Sequence, residues 1–404
     1  MTIWILSLLL VAAAVGLGLR QGAIRAAFSF IGIVFAALLA TTLGKLFAWL
    51  MPHLGIHNQT VIWMLAPIEG FVLILILFKS AAFFVHHKVE MFYKYKAGDL
   101  RLSLWERMNG RLGACIGTLN GAAYSVVISF ALFNFTYWTT QIAPGPDENW
   151  KVRFVNRFGN DLDSTGMSKV AKSVAPLSQN YYKTADLAGL ICQNPKVVQR
   201  LASYPPFLSL LQDTDLRQLA ENSDLANSWK SGAPLGQILN NDTVKGILKN
   251  NDLVDLVYGV VETNLDDLTG YLKTGQSAKY DSEKILGRWD FNVGVSLAMV
   301  RQMRPNIPPR EYAVTRILWN SNYANTVFIA GSDGKAFLNK WPTFKNPPNQ
   351  TPSTVDFKGN WEENGGNYTI QVSANGENKS YRATTDGLRL TVSEGKNVYI
   401  FDHE

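Results

Sequence analysis

The chain reads as two kinds of protein in series. The first 140 or so residues predict a membrane α-helical module of four transmembrane helices. The rest predicts a soluble α-helical segment followed by an antiparallel β meander or barrel. Three observations carry this. Ile3–Gly18, Ala23–Leu50, Val61–Val85 and Leu112–Trp138 are apolar runs with few charges, and roughly 18 such residues are enough to cross hydrocarbon as a helix. After Pro144 no such run recurs. Beyond about Leu286 apolar residues alternate between Gly-containing turns, which is the period of strands with one buried face. The expected domains are 1–144, 145–280 and 281–404.

Charge supplies the orientation. Residues 1–140 hold ten Lys or Arg against four acids, a net +6, and the whole chain also nets +6, so the soluble part is neutral. The basic excess follows the membrane, which makes nucleic acid a poor partner. Arg20 and Arg25 flank the first turn. Lys88, Lys94, Lys96, Arg101, Arg107 and Arg111 follow the third run, whereas 47–60 carry no Lys or Arg. Cytoplasmic loops are the basic ones, so four spans leave both termini and all of 145–404 on the periplasmic side of an inner membrane. A cleaved signal peptide at 1–18 is the competing reading, but a charged n-region and a small-residue cleavage site are lacking. Cys115 and Cys192 would face different solvents, so no disulfide is expected.

Within the spans, Gly18 and Gly22 are four apart, as are Gly113, Gly117 and Gly121. Each set lies near one helix face, where small residues let backbones approach. Two readings stay open: packing within one chain, or a self-association seam that makes a homo-oligomer. Glu69 follows Pro67 inside the third run. An ionisable residue at that depth is a functional candidate by default, either carrying a proton or ion, or pairing with Arg25 or Arg20. Unwinding at Pro67 would instead leave it near the outer interface. His86 and His87 point about 100° apart on a helix, which is poor for a shared metal. Lys94, Lys96 and Arg101, interleaved with Phe92, Tyr93, Tyr95 and Trp105, read as a segment lying on anionic lipid.

The stretch Gly16-Leu17-Gly18-Leu19-Arg20-Gln21-Gly22-Ala23-Ile24-Arg25 resembles the first cytoplasmic turn of the colicin V production protein family. Leu112-Gly113-Ala114-Cys115-Ile116-Gly117-Thr118-Leu119-Asn120-Gly121 resembles the start of that family's last span, and the segment with Leu100, Leu102, Leu104 and Trp105 its amphipathic connector. The resemblance covers residues 1–140. It departs from the family at Gln21, where the family has Arg, at Ala26, where it has Glu, and at Asn120, where it has Arg. It implies an inner-membrane protein linked to toxin production or export and to envelope upkeep, with no reaction attached.

From Trp150 to about Thr274 apolar residues recur at three and four, which is helical. Val198–Ala202, Leu216–Ala220 and Val244–Leu248 begin three similar units at spacings of 18 and 28. In each, a short helix meets an Asn, Ser or Pro turn and a second short helix starts, with Asp224 and Asp252 where N-caps belong. The units resemble the short helical peptide-binding modules of co-chaperones. A compact helical spacer is the alternative.

In the tail, strands are expected at Ala313–Leu318, Val327–Ala330 and Ala336–Leu338. A meander of about five more follows, turning at Asn364-Gly365-Gly366, Asn375-Gly376, Asp386-Gly387 and Glu394-Gly395. Asn346–Thr354, rich in Pro and Asn, separates the two halves. Gly287-Arg288-Trp289 and Gly359-Asn360-Trp361 resemble the Gly-x-Trp opening of lipocalin-like barrels. That resemblance implies one barrel of roughly eight strands or two half-barrels, with Trp289 and Trp361 as core. The interior would be either filled or holding an apolar ligand.

There is no phosphate loop, His-Glu-x-x-His, Cys-x-x-Cys or Gly-x-Ser-x-Gly. His403, the one histidine beyond the membrane module, is expected at a mobile terminus. No catalytic, cofactor-binding or metal residues are assigned, and no enzyme activity is expected. The leading expectation is a membrane-tethered adaptor whose periplasmic extension binds an envelope protein, lipid or wall component. The alternatives are an oligomeric channel or transporter, and an apolar-ligand carrier.

Overall fold

The structure is a computed structural model describing residues 2–56, 59–96, 98–166, 168–169, 177, 179–343, 353–395 and 397–404. The residues group into two compact units, 1–193 with 232–239, and 194–231 with 240–404. The helical stretch expected as one domain at 145–280 is divided between them.

The first unit begins with three long helices, α1 (Thr2–Leu50), α2 (Gln59–Lys96) and α3 (Asp99–Ile142). These three are long and apolar enough to cross a membrane, where four spans were expected. The difference lies in α1. Its 49 residues would reach about 74 Å as a straight helix, against a hydrocarbon core of about 30 Å. The helix is not straight: Gly22 has φ 82° and ψ 167°, outside helical geometry.

Both sides of that break run along α3. Ala14 and Val11 lie against Gly117 and Gly121, while Asn120 Nδ2 donates to Ala26 O at 2.9 Å. The chain therefore doubles back at Gly22. The Asn109 side chain from α3 accepts from Ala23 N at 2.7 Å, satisfying a donor that the broken helix frees. A Cβ on Gly22 would fall 2.1 Å from Asn109 Nδ2. Gly22 is thus fixed twice, by its positive φ and by its neighbour. After the break, α1 packs on α2 through Gly44 against Pro67 and Gly70 against Ala40. The helix α2 continues through Pro67, so the unwinding considered there does not occur. The helices α4 (Trp150–Ser164) and α5 (Gln179–Gln193) follow in this unit. Tyr181 and Tyr182 of α5 donate to Asn134 O and Oδ1 at 2.8 and 2.5 Å.

The second unit starts with three pairs of short helices: α6 (Pro195–Ser203) with α7 (Pro205–Leu210), α8 (Thr214–Glu221) with α9 (Ser223–Lys230), and α11 (Asp242–Lys249) with α12 (Asn251–Thr263). Between the second and third pairs lies α10 (Leu235–Leu239). It sits in the segment 232–239 that groups with the first unit, which accounts for the longer of the two repeat spacings.

The caps differ from those expected. Asn222 and Asn250 receive Leu225 N and Leu253 N, so Asp224 and Asp252 are not N-caps. They stand in the first turn, where a carboxylate favours the helix dipole. The asparagines stand three residues before the amides they accept from, which is the N-cap position.

Asp267, in α13 (Leu265–Thr274), ties the helices to the chain that follows. It accepts from Tyr204 OH at 2.8 Å, Ser277 Oγ at 2.7 Å and Lys279 N at 3.1 Å. Burial pushes its carboxyl up, but these three hydrogen bonds outweigh burial and hold it below its ordinary 3.8. A carboxylate with a depressed folded pKa stabilises fully above the unfolded value and loses that contribution as pH falls through the folded one. Asp267→Asn is expected to cost about 1–2 kcal/mol at pH 7, allowing for partial exposure. The deficit relative to wild type should shrink as pH falls below 3.8 and through the depressed folded value. Urea midpoints of both proteins across pH 2–7 check this.

The rest is a closed eight-stranded barrel in up-and-down order: β1 (Gly287–Phe291), β2 (Val327–Ala330), β3 (Lys335–Pro342), β4 (Thr354–Asn364), β5 (Asn367–Ala374), β6 (Glu377–Thr385), β7 (Arg389–Glu394) and β8 (Asn397–His403). One barrel forms, not two halves. It closes by pairing of β1 with β8, Trp289 opposite His403.

A helical hairpin, α14 (Val293–Met303) and α15 (Pro309–Asn322), is inserted between β1 and β2. The strand expected at Ala313–Leu318 is therefore helix. Pro309 at its first position presets helical φ, and the half-buried Tyr312, Thr315 and Trp319 recur at three and four, with Trp319 packed against the barrel core. The Pro- and Asn-rich stretch 346–354 lies outside the described residues up to 352.

Candidate functional site

Polar side chains converge at one place in the membrane module, beside the Gly22 turn. Both limbs of α1, α2 and α3 line a half-open cavity of about 310 Å³, at the lower end of ligand-pocket sizes. Its polar lining is Gln21, Arg25, Ser29, Lys79, Asn120 and Tyr124, with no acidic residue. The local reason is the doubling back. The break at Gly22 sends Gln21 and Arg25 up opposite limbs, and α3 lies across both.

Arg25 is half-buried, with its guanidinium 5.7 Å from the Phe83 ring centroid in cation–π range. Its Nε is buried without a hydrogen-bond partner. Asn120 is 7% exposed. Its Nδ2 is used by Ala26 O, but its Oδ1 is buried and unpartnered. Lys79 is exposed at the rim.

The residues singled out from sequence are dispersed. Arg20 is exposed and outside the cavity. Glu69 is half-buried roughly four turns before Phe83 on α2, so it does not pair with Arg25, which lies against Phe83. The glycines pack within the chain. A Cβ on Gly18 would fall 2.1 Å from Gly113 O, on Gly117 2.5 Å from Ala14 O, and on Gly121 2.6 Å from Val11 Cα. That seam is occupied by the chain's own backbone and is not free for a second copy. His86 meets Glu90 at 3.7 Å, and Trp105 stacks on Tyr93 at 5.2 Å.

Asn109, Asn120 and Lys79 were not picked out as site residues. A polar side chain in an apolar run is the signal that marks Lys79 and Asn120, whereas Asn109 precedes the last run and carries no such signal.

The barrel interior is filled. Trp289, Phe328, Phe357 and Phe401 are almost wholly buried, and the remaining gap among Trp341, Tyr381 and their neighbours is about 10 Å³, room for one water at most. Trp289 donates through Nε1 to Ile285 O at 2.8 Å. Trp361 is half-buried against the core and donates to Gly331 O at 3.0 Å.

The two glycines of the Gly-x-Trp pairs are needed for space. A Cβ on Gly287 would fall 2.4 Å from His403 Nε2, and on Gly359 1.8 Å from Gln371 O. His403 is not at a mobile end. It is in β8, with its ring 4.6 Å from that of Trp289, edge to face.

Outside the barrel wall, facing the short helices, is a cleft of about 1060 Å³ lined by five basic and five acidic side chains, among them Arg200, Arg217, Arg288, Glu221 and Glu283. The balance gives it no preference for a partner of one sign. Among the described residues no group of three or more His, Cys, Asp or Glu could hold a metal. Compared with family models, curated proteins and solved structures, the chain matches none.

Proposed function

We propose that the chain is a non-enzymatic inner-membrane protein of the colicin V production type. It crosses the membrane four times with both termini periplasmic, and its extension binds an envelope component. The observation that carries this reading is the doubling back at Gly22. Each limb of α1 lies along the same stretch of α3, which supports reading α1 as two spans, with the basic turn Arg20–Arg25 at the same end as the basic stretch after α2. Positive charge gathered at one end is the arrangement the insertion rule requires. The large cleft of mixed charge on the extension is the place for a partner.

The channel reading finds less support, since the glycine seam is used internally and Glu69 stands apart from Arg25. The carrier reading lacks a vacant interior. The test is a set of periplasm-active reporter fusions. Activity is expected after Leu54 and after Pro144, and none after Gly22 or Gly98. A cytoplasmic signal after Pro144 overturns both the topology and the envelope-facing role.

A further inference from the structure

We propose that the cavity beside the Gly22 turn is a binding site for a phosphate-bearing anion, either the headgroup of an acidic phospholipid or free phosphate. Four observations carry it. The cavity is lined by Arg25 and Lys79 and by no acid, so its field has one sign. Arg25 Nε is buried with no acceptor, and a buried guanidinium donor left unmet is costly. The Phe83 face offsets part of this cost but supplies no acceptor. Ser29, Gln21 and Tyr124 add neutral donors around the same space. Asn120 Oδ1, buried and unpartnered, asks for a donor, which a headgroup hydroxyl or a water on the anion provides.

A phosphate fits all of these at once: charged acceptors for Arg25 and Lys79, and further acceptors for the hydroxyls. Basic pockets between membrane helices are also how acidic headgroups are held. The inference does not depend on which side of the membrane the cavity faces, so a reversed topology leaves it standing.

Native mass spectrometry of the full chain in detergent, titrated with phosphatidylglycerol, phosphatidylcholine or inorganic phosphate, tests it. Phosphatidylglycerol is expected to bind at least about tenfold more tightly than phosphatidylcholine. Arg25→Gln and Lys79→Gln should each weaken it by about tenfold, the size of one charged hydrogen bond. Arg20→Gln, outside the cavity, should leave it unchanged. Displacement of the lipid by inorganic phosphate, itself weakened in both variants, assigns the site to the free anion. No such displacement assigns it to the headgroup. Because Lys79 is exposed at the rim, its variant keeps the packing even if Arg25→Gln does not fold. Equal affinity for the two lipids with no binding of phosphate, or unchanged binding in a folded Lys79→Gln protein, overturns the proposal.

Discussion

Gly113→Ala is expected to unfold the membrane module at a temperature many degrees below wild type. The added methyl would sit 2.2 Å from Gly18 O and 2.9 Å from Gly22 C. Both are backbone atoms of the facing limb, so no side chain can swing aside. The helices α1 and α3 must separate along the whole contact, losing the packing that holds helices together where no hydrophobic drive exists. Overpacking a core commonly costs about 1–3 kcal/mol, and a clash of backbone with backbone belongs at or above the top of that range. Gly16→Ala is the control. It is in α1, the helix that faces Gly113, with no atom within 4 Å of the added carbon, and Ala is the better helix former. Thermal aggregation of both variants in detergent checks this. A Gly113→Ala protein with the wild-type midpoint would mean that the helices do not approach as described.

Trp289→Ala should be the most damaging single truncation in the barrel. The side chain is fully buried in the barrel core, at the middle of β1 where that strand pairs with β8. Its removal forfeits the indole packing and the edge contact with His403, and leaves Ile285 O without its donor. Large aromatic truncations cost about 3–5 kcal/mol, a large part of a domain's stability. Trp361→Ala, half-buried at the wall, should cost clearly less. Resistance of the full chain to protease across a urea series ranks the two. Equal losses would refute the assignment of Trp289 as the more deeply buried core residue of the two.

The parts of the fold written locally were legible. The turns Asn375-Gly376 and Asp386-Gly387 fall where β5 meets β6 and β6 meets β7, because φ>0 residues between alternating runs leave few other conformations. Val327–Ala330 is β2 as expected. Ala313–Leu318 misled because a short apolar run satisfies both periods, and the deciding signal, Pro309 at a helix start, lies outside the run. The membrane helices were legible as lengths of apolar chain. What was not legible is which glycine turns the chain and which packs it. Gly18 and Gly22 look alike in sequence, but only Gly22 has the positive φ, and that depends on Asn109, far along the chain. The cavity followed from this fold-back, so Lys79 and Asn120 could be counted but not brought together.

The closing pair between β1 and β8 also sets a timetable for synthesis. While the chain emerges, β1 has α14, α15 and six strands still to come before its last neighbour exists. During that interval an apolar strand edge stands open, the kind that recruits other chains. Whatever receives this domain as it is made must shield that edge until the final strand arrives. Afterwards the ring has no edge left, and no visitor can join it by adding a strand.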